Sequence, residues 1–330
     1  MKYSDLDILF LTKEIPDYVH DAVYLGLSEL GCNVVDFPRK PSLHGTRHPS
    51  IFHCPQTLFQ LPINDLRKAR PDLMIVTALM YDHNPLGTRG WFEHVWAVDD
   101  KYQPQRIIAL DGCDKQEIHL PELSQPYTRI FKREMRPPYP LPQCRPFSMM
   151  PIPEPFVWRY ARDRTLDFVY EVAPSCDYRS EAAVQLKNIS RRHKLRCHIY
   201  CGAPVLPRSE YLTDMSRARC VISVRGMGWD TYRYWEIPAH GTVMVTQDVG
   251  LPIEHDFVDG VHCIRYTGQS DDALETAVLR VRDMSHAEID AMAARAIEHV
   301  SIYHTPRVRA ARMLDEVFES TDSTYGGHDK

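Results

Sequence analysis

The residues best suited to chemistry lie between positions 220 and 247, CVISVRGMGWDTYRYWEIPAHGTVMVTQ. Arg225-Gly226-Met227-Gly228 interrupts the apolar run at 221–224 with two glycines and leads into a segment that Asp230 or Thr231 can cap as a helix. A glycine loop feeding a helix N-terminus is an anion site: free backbone N–H groups and the positive end of the helix dipole favour a phosphate. Arg225 and Arg233 add charge-assisted hydrogen bonds, bidentate where the oxygens permit. Glu236, in the second helical turn, is placed to accept hydrogen bonds from a ribose while the glycines hold phosphates. Gly241 ends the helix after about His240, and 243–245 is a second buried strand.

Two α/β series must position these residues. At 6–11 the chain has a compact apolar run, followed by a helical spacing of Val19, Ala22, Val23, Leu25, Leu27 and Leu30, a stop at Gly31 and a strand at 33–37. This β-α-β opening is typical of a doubly wound domain. The segment 38–61 has no clear period and reads as a long loop, 65–70 as a short helix and 73–77 as a strand. In open α/β sheets ligands sit beyond the C-terminal ends of strands, which makes Asp82 and His83 candidates, although His83 reads equally well as a loop histidine. Asp111, directly after the strand at 107–110, is a candidate on the same ground, and 129–134 is a strand with a charged exit. Eight prolines among the nineteen residues 137–155 resist helix and sheet alike and set the domain junction there. The second series has strands at 166–170, 197–200 and 263–266 and helices at 179–191, 209–215, 271–283 and 285–303. Ser285 with Glu288 forms a capping box, and Thr305 with Pro306 starts a last helix.

The bulk properties bound the function. A chain of 330 residues can hold two cores. A net charge of −5 argues against a broadly basic surface for nucleic acid, though not against a local patch. No apolar run reaches the ~20 residues of a membrane span, and the N-terminus lacks the pattern of a signal peptide. Nine cysteines without a C-x-x-C pair suit reduced thiols and a cytoplasmic location. Cys197, His198 and Cys201 come nearest to a metal cluster, but no second ligand pair follows at zinc spacing, so buried thiols are expected there.

The run Gly228-Trp229-Asp230-Thr231-x-Arg233-x-Trp235-Glu236-x-x-x-x-Gly241 resembles the donor-binding signature of GT-B glycosyltransferases and is most similar to the CgeB-like group, with its R-x-(F/W)-E-x-x-x-x-G. The D-G-x-D at 111–114 and F-K-R-E at 131–134 extend the similarity into the first half. The resemblance implies a GT-B fold, two Rossmann-like doubly wound α/β domains facing each other across a cleft. Residues 1–150 would form the acceptor side, 151–304 the donor-nucleotide side, and 305–330 a helix and tail that cross back. It implies a sugar moved from a UDP- or GDP-linked donor to a glycan, small molecule, protein or modified base. Glu236 would hold the ribose, with Arg225, Gly226, Gly228, Asp230, Thr231, Arg233 and Gly241 completing the donor site. An inverting enzyme needs a general base, for which Asp111, Asp82 and His83 are candidates, whereas a retaining one does not. Many retaining members carry a second acid at the position of Gly228, and Pro238 replaces a usual Ala or Leu and is expected to kink its helix. GT-B enzymes do not require a metal held by Asp-x-Asp, so neither metal nor cofactor is expected. A sugar-nucleotide epimerase of the same fold and a non-catalytic sugar-nucleotide-binding protein are the alternatives.

Overall fold

The structure, a computed structural model, describes residues 2–12, 17–45, 60–77, 85–118, 120–151, 163–203, 206–268 and 271–319. It divides into two compact units, Met1–Ser148 with Thr305–Lys330, and Met149–His304.

The first unit is built on β1 (Asp7–Leu11), α1 (Tyr18–Glu29), β2 (Asn33–Phe37), β3 (Leu73–Thr77), α2 (Pro85–Tyr102), β4 (Ile107–Asp111), β5 (Arg129–Lys132) and β6 (Cys144–Pro146). Its parallel sheet has the order β2-β1-β3-β4-β5-β6. Every residue of β1, β3 and β4 is buried, as expected of parallel strands covered on both faces. Asp17 caps α1, its Oδ1 accepting from the amides of Val19 and His20 at 2.8 Å each. Two expectations give way. Residues 65–70 form no helix. The segment is instead stitched to β1, Lys68 N donating to Asp7 Oδ2 at 2.7 Å and Arg67 Nη2 to the Leu6 carbonyl at 2.9 Å. The proline-rich segment is not free of sheet: β6 pairs with β5 as an edge strand, where Pro146 removes no ladder bond that the sheet needs. Finally, α2 is a full helix that the sequence analysis leaves unassigned, with Pro85 at its first position.

The second unit contains β7 (Leu166–Val172), α3 (Asp177–His193), β8 (Cys197–Cys201), α4 (Arg208–Arg217), β9 (Ala218–Ser223), α5 (Tyr232–Ala239), β10 (Val243–Gln247), β11 (Cys263–Tyr266), α6 (Asp271–Asp283) and α7 (His286–Tyr303). Its sheet is also parallel, in the order β11-β10-β9-β7-β8. The core on one face joins Phe168, Tyr170, Cys220, Ile222, Val243, Val245 and Ile264 to inward residues of α3, α6 and α7. Ser285 and Glu288 make the capping box that starts α7.

The last helix, α8 (Pro306–Phe318), belongs to the first unit and lies along α1. Gly26 makes that approach feasible: a Cβ there would lie 2.1 Å from the Pro306 carbonyl oxygen and 2.9 Å from the Ala310 Cβ. Among the described residues no helix is long and apolar enough to cross a membrane. All eight described cysteines are free thiols.

Candidate functional site

The glycine loop lies at the C-terminal end of β9, the central strand of the second sheet, and delivers the chain into α5. Its shape comes partly from within, since Gly226 N donates to the Gly228 carbonyl at 2.9 Å. That amide is therefore spent inside the loop, which narrows the set of N–H groups expected to face an anion. Beneath the loop lies Arg179, in the first turn of α3. Its Nε donates to the Arg225 carbonyl at 3.2 Å and its Nη1 to the Ala173 carbonyl at 3.1 Å. A Cβ at position 226 would sit 2.9 Å from Arg179 Nη2, so the glycine is what lets this guanidinium come up against the backbone. Arg225 lies 5.0 Å from the Trp229 ring centroid and 5.6 Å from that of Tyr178, and among the described residues its buried Nε has no hydrogen-bond partner. Burial and the nearby charge of Arg233 both push the Arg179 guanidinium below its ordinary value. Like charges gathered under a glycine loop repel one another until an anion arrives.

Glu236 is at the heart of a second group. It is only 2% exposed, and its Oε2 accepts from Arg208 Nη1 at 2.8 Å while its Oε1 accepts from the Tyr211 hydroxyl at 2.6 Å. The guanidinium groups of Arg208 and Arg233 lie 5.2 and 5.4 Å from the Tyr211 ring centroid. Burial pushes the Glu236 carboxyl up, but Arg208, Arg233 and the Tyr211 hydrogen bond outweigh it and hold the group below the usual carboxylate value. Glu236 is thus an ionised, oriented acceptor whose remaining lone pairs are available to a ligand hydroxyl. Arg179, Arg208 and Tyr211 escape the sequence analysis. Arg179 had one usable signal, its place just after the C-terminal end of β7. Arg208 and Tyr211 had none, because nothing in their spacing points to position 236.

Two expected donor residues have other work. Thr231 is the N-cap of α5 but makes no capping hydrogen bond with its own side chain. Asp230 is 1% exposed, its Oδ2 accepts from Met149 N at 2.7 Å and its Oδ1 from the buried indole of Trp235 at 2.6 Å, so it fixes the loop to its surroundings. Gly241 has φ +69° at the opposite end of α5, where it turns the chain into β10. Pro238 lies in the last turn of α5, two residues before its C-cap His240.

On the other unit, Asp111 closes β4 and is 2% exposed. Its Oδ1 accepts from Cys113 N at 2.9 Å and lies 3.5 Å from Nζ of the fully buried Lys132. Lys132 also donates to the Cys113 carbonyl at 2.9 Å, and Arg133 donates to the Gly112 carbonyl at 2.9 Å and pairs with Asp114. The two acidic and basic sequence motifs therefore meet as one buried lattice between adjacent strand ends. Asp82 and His83 lie outside the described residues.

Residues 180–315 match the sequence profile of a family described as glycosyl transferase-like. Solved structures share the architecture at low identity. An alpha-glucosyltransferase in complex with UDP and a 13-mer DNA containing an HMU base superposes with a TM-score of 0.61 at 12% identity, covering 94% of this chain and 99% of that one. A sucrose-phosphate synthase from Thermosynechococcus elongatus gives 0.56 at 13% identity, over 95% and 99% of the two chains. A glycosyltransferase from Rickettsia africae ESF-5 gives 0.54 at 7% identity, over 96% and 99%. No curated protein sequence matches the chain. These structures speak for the fold, two Rossmann-like α/β units of the GT-B kind, and the family match carries the class: the protein is a glycosyltransferase.

Proposed function

We propose that the protein transfers a sugar from a UDP- or GDP-linked donor bound at the β9–α5 loop, as a CgeB-like glycosyltransferase. The observation that carries the reading is the meeting of Arg179, Arg225 and Arg233 around the loop with the buried, ionised Glu236 one turn into α5. On this reading the guanidinium groups and the first amides of α5 meet the negative charge that develops on the departing nucleoside diphosphate. Glu236, aimed by Arg208 and Tyr211, accepts from the ribose hydroxyls. Gly228, Asp230, Thr231 and Gly241 shape the loop and helix that present these groups. Because the leaving charge is met by the protein's own cations, transfer requires no cofactor.

The acceptor belongs on the first unit. There Asp111, Asp82 and His83 are the candidates for the group that activates or positions it. The solved relative with UDP and an HMU-containing DNA makes a modified base a sensible member of an acceptor panel beside glycans and small molecules.

The test is incubation with radiolabelled UDP- and GDP-sugars, with and without acceptors, alongside calorimetry with UDP, GDP and the bare nucleosides. Label release or transfer, with diphosphates binding far more tightly than nucleosides, is the expected result. A donor that binds unchanged when Arg225 and Arg233 are both replaced by Ala would refute the assignment of the site.

A further inference from the structure

Strand β8 alternates its side chains between the two faces of the sheet. Cys197 and Cys201 lie on one face, where Cys197 Sγ donates to Ser190 Oγ at 3.1 Å and Cys201 packs beside Ser180. His198 points to the other face and meets two carboxylates from different elements. Its Nδ1 is 2.8 Å from Oε1 of Glu171 on β7 and hydrogen-bonded to Oδ2 of Asp214 on α4. The three ligand atoms all lie within 4.8 Å of one another. No pair among them is close in sequence, so motif spacing could not reveal the group.

The group is short of protons. Glu171 is 3% exposed, and among the described residues neither of its carboxylate oxygens accepts a hydrogen bond; its one hydrogen-bonding neighbour is another carboxyl, Asp214. The proximity of His198 does not change this, because Nδ1 carries one hydrogen at most and the geometry gives it to Asp214. A buried carboxylate without a donor is costly. A divalent cation would satisfy both carboxylates and the imidazole together.

We propose that Glu171, His198 and Asp214 form a binding site for a divalent transition-metal cation, with Zn²⁺ the ion that the donor set fits. One imidazole nitrogen and two carboxylate oxygens are zinc ligands, with bonds of roughly 2.0–2.2 Å, and a water completes a tetrahedral shell. Such bonds space the ligand atoms roughly 3.4 Å apart, so His198 and Asp214 must part slightly from their hydrogen-bonded positions. The His198 side chain is 42% exposed, which supplies both an entry path and the open fourth position. The ion would pin α4 to β7 and β8. Asp214 lies three residues beyond Tyr211 and six beyond Arg208, the two side chains that hold Glu236, so the ion would also stiffen the ribose side of the donor site. The site itself stands independently of the donor assignment.

The test uses the full chain, freed of metal by a chelator and titrated with Zn²⁺ against a chromophoric competitor. One tight equivalent is expected, with the melting temperature rising by about 5–10 °C at a hundredfold excess over Kd. Glu171→Gln resembles the protonated carboxyl in shape and should fold as the parent does. It should weaken Zn²⁺ more than about tenfold, as should His198→Ala. X-ray absorption at the zinc edge should show nitrogen and oxygen neighbours with one imidazole. Absence of a tight equivalent, a parent-like affinity in Glu171→Gln, or a sulfur shell from the free cysteines would each overturn the proposal.

Discussion

Replacing Glu236 by Gln keeps the shape of the side chain and removes its charge, which isolates the interaction that organises the candidate donor site. The amide retains one acceptor oxygen, but its nitrogen then faces either Arg208 Nη1 or the Tyr211 hydroxyl, donor against donor. The hydroxyl can rotate to accept, whereas the guanidinium has no acceptor to offer. The loss is therefore close to that of one hydrogen bond to a charged group, about 1.5–3 kcal/mol. Arg208 is 27% exposed, so water recovers part of it and the lower half of the range applies. For a unit of this size that is a fall in Tm of roughly 3–8 °C at pH 7. The pH dependence follows from the direction of the shift. Glu236 is held below its ordinary value of 4.5, so its contribution is fully present above that pH and is lost as the pH falls through the folded value. The gap between parent and variant should hold from pH 7 to about 5 and close below about 4.5. Scanning calorimetry of both proteins across that range reads it directly. The same variant should bind both UDP and uridine about tenfold more weakly, because the ribose is common to the two. A gap that is absent at pH 7, or that widens on acidification, would refute the charge pairing. Parent-like affinity for both ligands would refute the ribose assignment.

Gly226→Ala drives a methyl to 2.9 Å from Arg179 Nη2, so the guanidinium must withdraw from the loop; affinity for UDP should drop about tenfold, while that for uridine stays unchanged by calorimetry. Asp111→Asn removes the partner of the fully buried Lys132, and thermal unfolding should show a loss of roughly 3–5 kcal/mol; a parent-like Tm with abolished turnover would instead return Asp111 to the reacting groups. Gly26→Ala places its Cβ against backbone, the Pro306 carbonyl, and should cost about 1–3 kcal/mol and raise proteolysis of the C-terminal segment around α8, whereas unchanged protection would contradict the close approach of α1 and α8.

The legible parts of this chain were those whose cause is local. Apolar runs such as Ile8 to Leu11 and Leu73 to Val76 betray buried parallel strands, and the caps at Ser285 and Thr305 act within one helical turn. The glycine loop, Arg233 and Glu236 stood out because one turn of chain brings them together. Arg179, Arg208 and Tyr211 did not, because they reach the site from α3 and α4, and the contact that matters is between elements rather than along one. The same limit explains Asp230. Its spacing suits a cap or a ligand, but the indole of Trp235 and the Met149 amide claim its carboxylate first. Helix α2 was hidden for a different reason: Gly87 and Gly90 weaken the local signal, and the packing of Trp91, Val95 and Val98 on Leu9, Met74 and Val76 overrides it.

The charge state of Glu171 links the two groups of the second unit. Arg179, Arg208, Arg225 and Arg233 contribute four positive charges around the loop and α5, and Glu236, ionised, offsets one of them. Glu171 is near enough to Arg233 for that cation to pull its carboxyl downward, so an ionised Glu171 would offset a second and weaken the field on a diphosphate. Burial prevents this at neutral pH by keeping the carboxyl protonated up to about 8. A cation shared with His198 and Asp214 would prevent it differently, because it brings its own two charges. In either state no uncompensated carboxylate faces Arg233, and the positive potential of the loop is kept for the anion. Removing the metal and raising the pH above 8 together should expose the third state, with Glu171 ionised and unpaired. UDP affinity should then fall in the parent but not in Glu171→Gln, and an equal fall in both would separate Glu171 from the electrostatics of the donor site.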